Sequence, residues 1–574
     1  MHDLVIRGGT IVDGTGDAPY AGDVAIEGGV IVATGDFAGA GREEIDATGL
    51  LVTPGFVDIH THYDGQVTWE HRLAPSSSHG VTTAVMGNCG IGFAPCRPAD
   101  RQTLIRLMEG VEDLPEPVLT AGLPWEWESF PDYLDFLEQR RFDCDVATQV
   151  PHAALRVYAM GDRAIERAPA TVEERATMAR LAAEAIRAGA FGFATSRTIN
   201  HKSSDGTQIP TLEAEEAELA AIAQAIAGEG RGVLQLVSDL DDVDSELAML
   251  RRIVEASGRP LTLSTMQWHD APEKWRTVLA WLDACDRAGL PVKGQVSGRP
   301  IGVLLGFELA MNPFLYTPTF QRLLALGPDD RRAALCDPAV RAAIIEEEPV
   351  PQESGVSAYI RTFAGMYALG KDVDYEPDPA DSMAGRAARN GTTPAAEAYN
   401  AMMAQDGRGV LMLPSVNFAY GNLEPSREML THPRTVFGLG DGGAHLGFLC
   451  DASLPTHLLQ YWARDRTRGP RIELAEVVRG LSAVPAQAVG LTDRGLIGVG
   501  YKADINVIDF DRLRLHQPHV VHDLPEGGRR LTQAADGYVA TILSGEVVQR
   551  DGAPTGALPG RLVRSRSEGV EMAA

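Results

Sequence analysis

Two histidines separated by one threonine close the apolar run GFVDIHTHYD at residues 55 to 64. In an extended strand alternate side chains share a face, so His60 and His62 point the same way about 7 Å apart and can reach one ion. Taken alone, such a pair fits equally well as two ordinary polar residues where a strand gives way to a loop. Two other positions carry matching chemistry: Cys89 in AVMGNCGIG and Asp441 in VFGLGDGGAH. Imidazole, thiolate and carboxylate are the donors from which divalent metal sites are built. Whether groups so far apart in the chain meet depends on the elements between them.

The chain has 574 residues, 44% of them hydrophobic and 22% charged, which is the composition of a globular protein of two or three domains. A formal net charge of −27 argues against nucleic acid or an anionic membrane as partner, because phosphate binding needs concentrated Lys and Arg. A small-molecule ligand is expected instead. The first residues, MHDLVIRGGTIVDGTG, alternate like a strand and show no secretory pattern, and no apolar run is long enough to span a bilayer. Six cysteines scattered from Cys89 to Cys450 do not suggest a disulfide framework, so a cytoplasmic setting is expected.

Residues 1–54 consist of short β-type runs between glycine-rich turns, and ADINVID at 503–509 and DGYVATILSGEVVQ at 536–549 share that habit. The two ends, 1–54 and 491–574, are therefore expected to form one small β-sandwich around a central domain at 55–490. That centre has another rhythm. TVEERATMARLAAEAIRAG opens with Thr171 and Glu174 in capping-box spacing and stops at Gly189, after which FGFATS reads as a strand; the cycle repeats three more times to residue 297. Strands near 55, 82, 146, 190, 232, 261, 291 and 434 predict an α/β fold, a (β/α)₈ TIM-type barrel. The stretch from about 299 to 430 is too long for a loop and predicts a helical insertion before the last strand. In such a barrel catalytic groups sit at the carboxyl ends of strands, which is where His60, His62, Cys89 and Asp441 all fall.

These stretches resemble the amidohydrolase superfamily and, within it, the N-acyl-D-amino-acid deacylases (D-aminoacylases). The likeness runs through PGFVDIHTHYD, HGVTTAVMGNCGIGFAP, PHAALRVYAMGDR, GAFGFATS, GDGGAH and PAQAVGLTDRGLIGVGYKADINVID, and extends to GAPTGALPGRLVR near the end. The resemblance implies His60 and His62 as first-strand zinc ligands, Cys89 as a bridging ligand, Asp441 as metal ligand and general base, and His152 of PHAALR as a residue lining the substrate pocket. It also implies a homo-oligomer.

Two departures stand out. Where the family carries metal-binding histidines on the fifth and sixth strands, this chain has Val237 and Thr265, so one zinc ion is favoured over two. His269, Gln267 and Gln235 are near enough in sequence to substitute. No arginine follows Asp441 before Arg464, so the substrate carboxylate lacks its usual partner; Arg197 and Arg299, at strand ends, are the expected replacements. His445 and Asp451 are expected to orient Asp441 or touch substrate.

The expected chemistry is hydrolysis of a linear amide bond, most simply deacylation of an N-acyl amino acid, with water activated by the metal and Asp441 moving its proton. Cys89 as a nucleophile is disfavoured because GNCG offers no adjacent base. Two alternatives stand beside this: a cyclic-amide or ester hydrolase on the same scaffold, or a metal-depleted, non-catalytic homologue.

Overall fold

The computed structural model describes residues 1–352 and 356–566. Among the described residues, eight parallel strands form one curled sheet in the order of the chain: Phe56–Asp58, Val81–Met86, Asp145–Pro151, Gly192–Arg197, Val233–Ser238, Leu261–Ser264, Val292–Val296 and Thr435–Phe437. All eight predicted strand positions are occupied. The extensions of the first and eighth strands meet in a parallel bridge between Thr61 and Gly442, where the His62 N–H donates to the Gly442 carbonyl and the Asp441 N–H to that of His60. The strands are buried on both faces, as parallel sheets covered by helices are, which explains their nearly unbroken apolar sequence.

Helices Val172–Ala188, Glu216–Gly228, Val243–Ser257 and Lys274–Arg287 alternate with the fourth to seventh strands. The first of these begins as its sequence predicts. The Thr171 hydroxyl accepts from the Glu174 N–H at 3.2 Å while the Glu174 carboxylate accepts from the Thr171 N–H at 2.7 Å, and Gly189 ends the helix at φ 122°.

The segment between the seventh and eighth strands holds the predicted helices and also a sheet that the sequence did not announce. Strand Val410–Val416 lies between Ile301–Leu305 and Tyr367–Leu369, antiparallel to both. Phe307, Phe314, Phe320, Tyr399 and Met402 give this segment a core of its own. It returns to the barrel through Asn417, whose side-chain oxygen accepts from the Gln267 N–H and whose N–H donates to the Gln267 carbonyl, each at 2.8 Å.

Strands from both ends of the chain share a nine-stranded sheet. Leu51–Pro54 pairs antiparallel with Ile505–Ile508, and Ile6, Val24, Ile26, Val52, Ile505, Val507 and Ile542 fill the interior beside them. This sheet is tied to the barrel by a buried ion cluster in which Asp145, at the start of the third strand, meets Arg494 at 2.7 Å and Lys502 at 3.0 Å. Burial pushes the Asp145 carboxyl up, but the two cations outweigh it and hold it below the ordinary value. No helix among the described residues is long and apolar enough to cross a membrane.

Candidate metal centre

The four residues singled out by their chemistry converge at the carboxyl ends of the strands. His60, His62 and Cys89 offer ligand atoms that lie within 4.8 Å of one another. Cys89 Sγ is 3.3 Å from His60 Nε2, and Asp441 Oδ1 is 3.4 Å from His60 Nε2 and 3.6 Å from His62 Nε2. A tetrahedral ion with bonds of about 2.0 to 2.3 Å keeps its ligands roughly 3.3 to 3.7 Å apart, which these three separations match, and the donor set suits a divalent cation; Asp441 lies against the two imidazoles, beside the tight group of His60, His62 and Cys89. Three residues at this centre have left-handed backbones without being glycine: Cys89 (φ 54°), Asp441 (φ 46°) and His445 (φ 51°). Such conformations cost about 1 to 3 kcal/mol each and persist where the surroundings impose them, which marks the site as a place of stored strain.

Beneath the centre lies a layer of glutamines inside the barrel, one from each of the third, fifth and seventh strands, the alternate-strand arrangement of TIM-type interiors. Gln295 Oε1 lies 2.7 Å from His60 Nδ1. A carboxamide oxygen only accepts, so Nδ1 carries the hydrogen and Nε2 presents its lone pair to the cluster. Gln235 Oε1 accepts from the Cys89 N–H at 3.0 Å. Gln149 Nε2 donates to Asn88 Oδ1 at 3.0 Å, and Asn88 Nδ2 in turn bonds the Val85 carbonyl at 2.8 Å. Gly440 must be glycine because a Cβ there would lie 2.2 Å from the Asp58 carboxylate.

A fifth group was not found from the sequence. Helix Arg101–Glu112 packs through Leu104, Ile105, Leu107, Met108 and Val111, and its last residue, Glu112, is buried with Oε1 3.2 Å from His62 Nδ1. The helix end is locked to the loop after the eighth strand, since the His445 N–H donates to the Glu112 carbonyl and the Gly447 N–H to Asp113 Oδ2. Glu112 Oε2 also stands 3.8 Å from His445 Nε2. The carboxylate beside a ligating imidazole is the usual outer partner of a metal site.

The electrostatics agree. Burial pushes His60 down to about 4, so it is neutral, as a ligand must be. Burial also opposes charge on His62, but Glu112, Asp441 and Cys89 outweigh it and hold its pKa well above the ordinary value. This pocket therefore draws positive charge. Burial likewise acts against the Asp441 carboxylate, yet His62, His60 and His445 keep it well below the usual range. Burial pushes the Cys89 thiol up to about 11, despite His62 nearby. A base does lie next to Cys89 in space, contrary to the expectation from GNCG, but a thiol so hard to ionise is a poor nucleophile without a cation beside it.

The pattern of the amidohydrolase family matches residues 43–549. The chain belongs to the amidohydrolase family. Over 567 residues, 98% of this chain and 96% of the other, it is 28% identical to an N-acyl-D-glutamate deacylase of Alcaligenes xylosoxydans xylosoxydans. It is 41% identical over 196 residues to an N-acyl-D-aspartate deacylase of the same organism, a match that spans 34% of this chain and 36% of that relative. Among solved structures, D-aminoacylase with a binuclear metal centre superposes with a TM-score of 0.66 at 23% identity, covering 98% of this chain and all of that one. N-acyl-D-glutamate deacylase of Bordetella bronchiseptica, complexed with zinc and a phosphonate inhibitor, gives 0.64 at 23%, with coverage of 98% and 100%. At that identity the superpositions speak for the fold.

The positions where the resemblance implies further histidines hold no metal ligand here. Val237 and Thr265 are both buried, and the Thr265 hydroxyl donates back to the Leu263 carbonyl at 3.0 Å. Of the suggested substitutes, Gln235 holds the Cys89 backbone, Gln267 is engaged with Asn417 and Ala419, and His269 lies outside the metal cluster. The expected carboxylate binders are committed elsewhere. Arg197 pairs with Glu246 at 2.6 Å. Arg299 is buried on Asp451, with further bonds to Ser453 and the Cys450 carbonyl, so Asp451 serves that pair rather than Asp441. His152 is wholly buried, with Nδ1 on the Thr195 hydroxyl at 2.8 Å and Nε2 on Glu218 at 2.7 Å, which makes it a strut rather than a pocket wall. His445, one-fifth exposed, stays at the centre.

Proposed function

We propose that this amidohydrolase removes the acyl group from N-acyl amino acids of the D series, using one zinc ion held by His60, His62, Cys89 and Asp441. The observation that carries the reading is the convergence of Asp441 Oδ1 on both imidazoles at 3.4 and 3.6 Å, with Cys89 Sγ completing the donor set. A divalent cation in that set supplies Lewis acidity, making water acidic near neutral pH and polarising a carbonyl. The rest is done by the chain. Asp441, ionised at any working pH, takes a proton from the attacking water and passes it to the departing nitrogen as the C–N bond breaks, so that amide and water become carboxylate and amine. Gln295 holds His60 in its tautomer, and the Glu112 carboxylate stands beside His62 Nδ1.

Arg197 and Arg299 spend their charge on Glu246 and Asp451, which supports a second reading, hydrolysis of a cyclic amide or ester without a free carboxylate. A panel of N-acyl-D- and L-amino acids, N-acyl amino amides, hydantoins and esters, assayed on zinc-loaded protein, separates the two. Turnover confined to neutral substrates would remove the first. Full zinc occupancy with no turnover on the panel, or no bound zinc at all, would favour a non-catalytic homologue. We further propose a barrel domain at 55–490 flanked by a β-sandwich of 1–54 and 491–574, a cytoplasmic location and a small-molecule amide as the partner, in a homo-oligomer that engages neither nucleic acid nor membrane.

A further inference from the structure

His445 stands four residues beyond Asp441 on the loop that leaves the eighth strand, and the ion pair it makes among the described residues is with Glu112. The Glu112 carboxylate thus lies between two imidazoles, with Oε1 3.2 Å from His62 Nδ1 and Oε2 3.8 Å from His445 Nε2. Both oxygens are buried, and neither makes a hydrogen bond among the described residues, so the two rings are the groups that set how the carboxylate turns. A separation of 3.8 Å is too long for a direct hydrogen bond but short enough for charge attraction in a buried site.

The backbone under Glu112 is fixed by two loops. From one, the His445 N–H donates to the Glu112 carbonyl and the Gly447 N–H to Asp113 Oδ2 at 2.8 Å. From the other, which leaves the fourth strand, the Ser204 N–H donates to the Arg106 carbonyl at 3.0 Å, and a Cβ at Gly110 would lie 2.2 Å from the Lys202 carbonyl oxygen. What remains free is the rotation of the Glu112 side chain, whose freezing costs up to about 2 kcal/mol. His445 is itself held at φ 51°, where glycine or asparagine is less strained. What the imidazole adds there is its ring, which faces the carboxylate and packs on Phe448 with centroids 5.4 Å apart. The His445 side chain is 20% exposed, against 1% for Glu112 and 2% for His62, so the three residues run from solvent to the metal centre.

We propose that His445 is a positioning residue that holds the Glu112 carboxylate against His62, and so sets the zinc affinity of the centre without touching the ion. The proposal rests on the zinc reading of the centre. Zinc affinity is measured by competition with a chromophoric chelator in four full-length proteins: wild type, His445→Asn, Glu112→Gln and the double variant. Asparagine tolerates the left-handed backbone; His445→Gly takes its place if His445→Asn does not fold. Outer partners of ligating histidines contribute about 10- to 100-fold. His445→Asn is expected to lower affinity by about 10-fold when made alone and by less than about twofold in the Glu112→Gln background, because the residue through which it acts is already disabled. An equal loss in both backgrounds would make His445 an independent structural element and overturn the proposal, as would no loss in either. A fall in the thermal stability of the metal-free protein large enough to account for the lost affinity would overturn it too. Wild type that binds no zinc would remove the zinc reading and this proposal with it. Wild type that binds zinc yet hydrolyses nothing would remove the deacylase reading alone, and the four affinities would still decide the role of His445.

Discussion

Replacing Glu112 with Gln tests the architecture of the metal centre without touching a ligand. The substitution keeps the shape of the side chain and removes the charge 3.2 Å from His62 Nδ1. Two unit charges at 3.2 Å attract by about 5 kcal/mol in an effective dielectric of 20, which is a ceiling because both groups have left water. Outer partners of ligating histidines contribute about 10- to 100-fold in metal affinity, or roughly 1.4 to 2.7 kcal/mol, and that range is expected here. Competition between the protein and a chromophoric zinc chelator reads the affinity directly, and thermal unfolding of the metal-free protein supplies the control. Because Glu112 is what raises the His62 pKa in the metal-free protein, the metal-free variant is expected to lose some stability, but less than it loses in zinc-binding free energy. Zinc affinity within twofold of wild type would refute the positioning role, and so would a fall in metal-free stability large enough to account for the loss.

Asp441→Asn is expected to abolish turnover at saturating zinc while circular dichroism stays unchanged; retained activity would remove its role as proton carrier. Arg197→Met strips the partner from half-buried Glu246 and is expected to lower stability by about 1 to 3 kcal/mol without raising KM for an anionic substrate, whereas a large rise in KM would return Arg197 to the carboxylate site. Arg494→Met leaves Asp145 with one cation and is expected to cost about 3 to 5 kcal/mol in urea unfolding. Because the Asp145 carboxyl is held below its ordinary value of 3.8, its pairing stabilises the fold fully above that pH and is lost as the pH falls beneath it. Asp145→Asn should therefore flatten the acid limb of the stability curve, and an unchanged slope would refute the assignment.

Much of the frame was legible in the residues because local rules agreed with it. Thr171, Glu174 and Gly189 marked one helix at both ends, and the short apolar strands between such helices could only be parallel and covered. His60, His62, Cys89 and Asp441 were legible since each ends a strand. Glu112 was not, because it reaches the centre from the end of a helix that lies between the second and third strands, and a single acidic residue after LMEGV looks like any solvated helix terminus. The glutamine layer was hidden for a different reason: Gln149, Gln235 and Gln295 are ordinary polar residues until alternate strands bring them to one level. Arg197 and Arg299 misled because a cation at a strand end attracts a carboxylate of the protein as readily as one of a substrate. The sheet of the insertion is built from pieces more than forty residues apart, beyond the reach of any local pattern.

The pairing of Leu51–Pro54 with Ile505–Ile508 bears on how the molecule comes into being. Leu51–Pro54 is made hundreds of residues before Ile505–Ile508 and finds this neighbour only after the later strand has left the ribosome. At about 5 to 20 residues per second a nascent chain waits tens of seconds with that apolar edge open, the condition under which strands find the wrong partner. Tyr20–Glu27 can pair at once with His2–Ile11, and Val30–Gly35 with Tyr20–Glu27, which shelters one side during the wait. The other side stays open until Ile505–Ile508 emerges, so yield in a heterologous host should depend on chaperones that occupy exposed edges more than on the stability of the finished barrel.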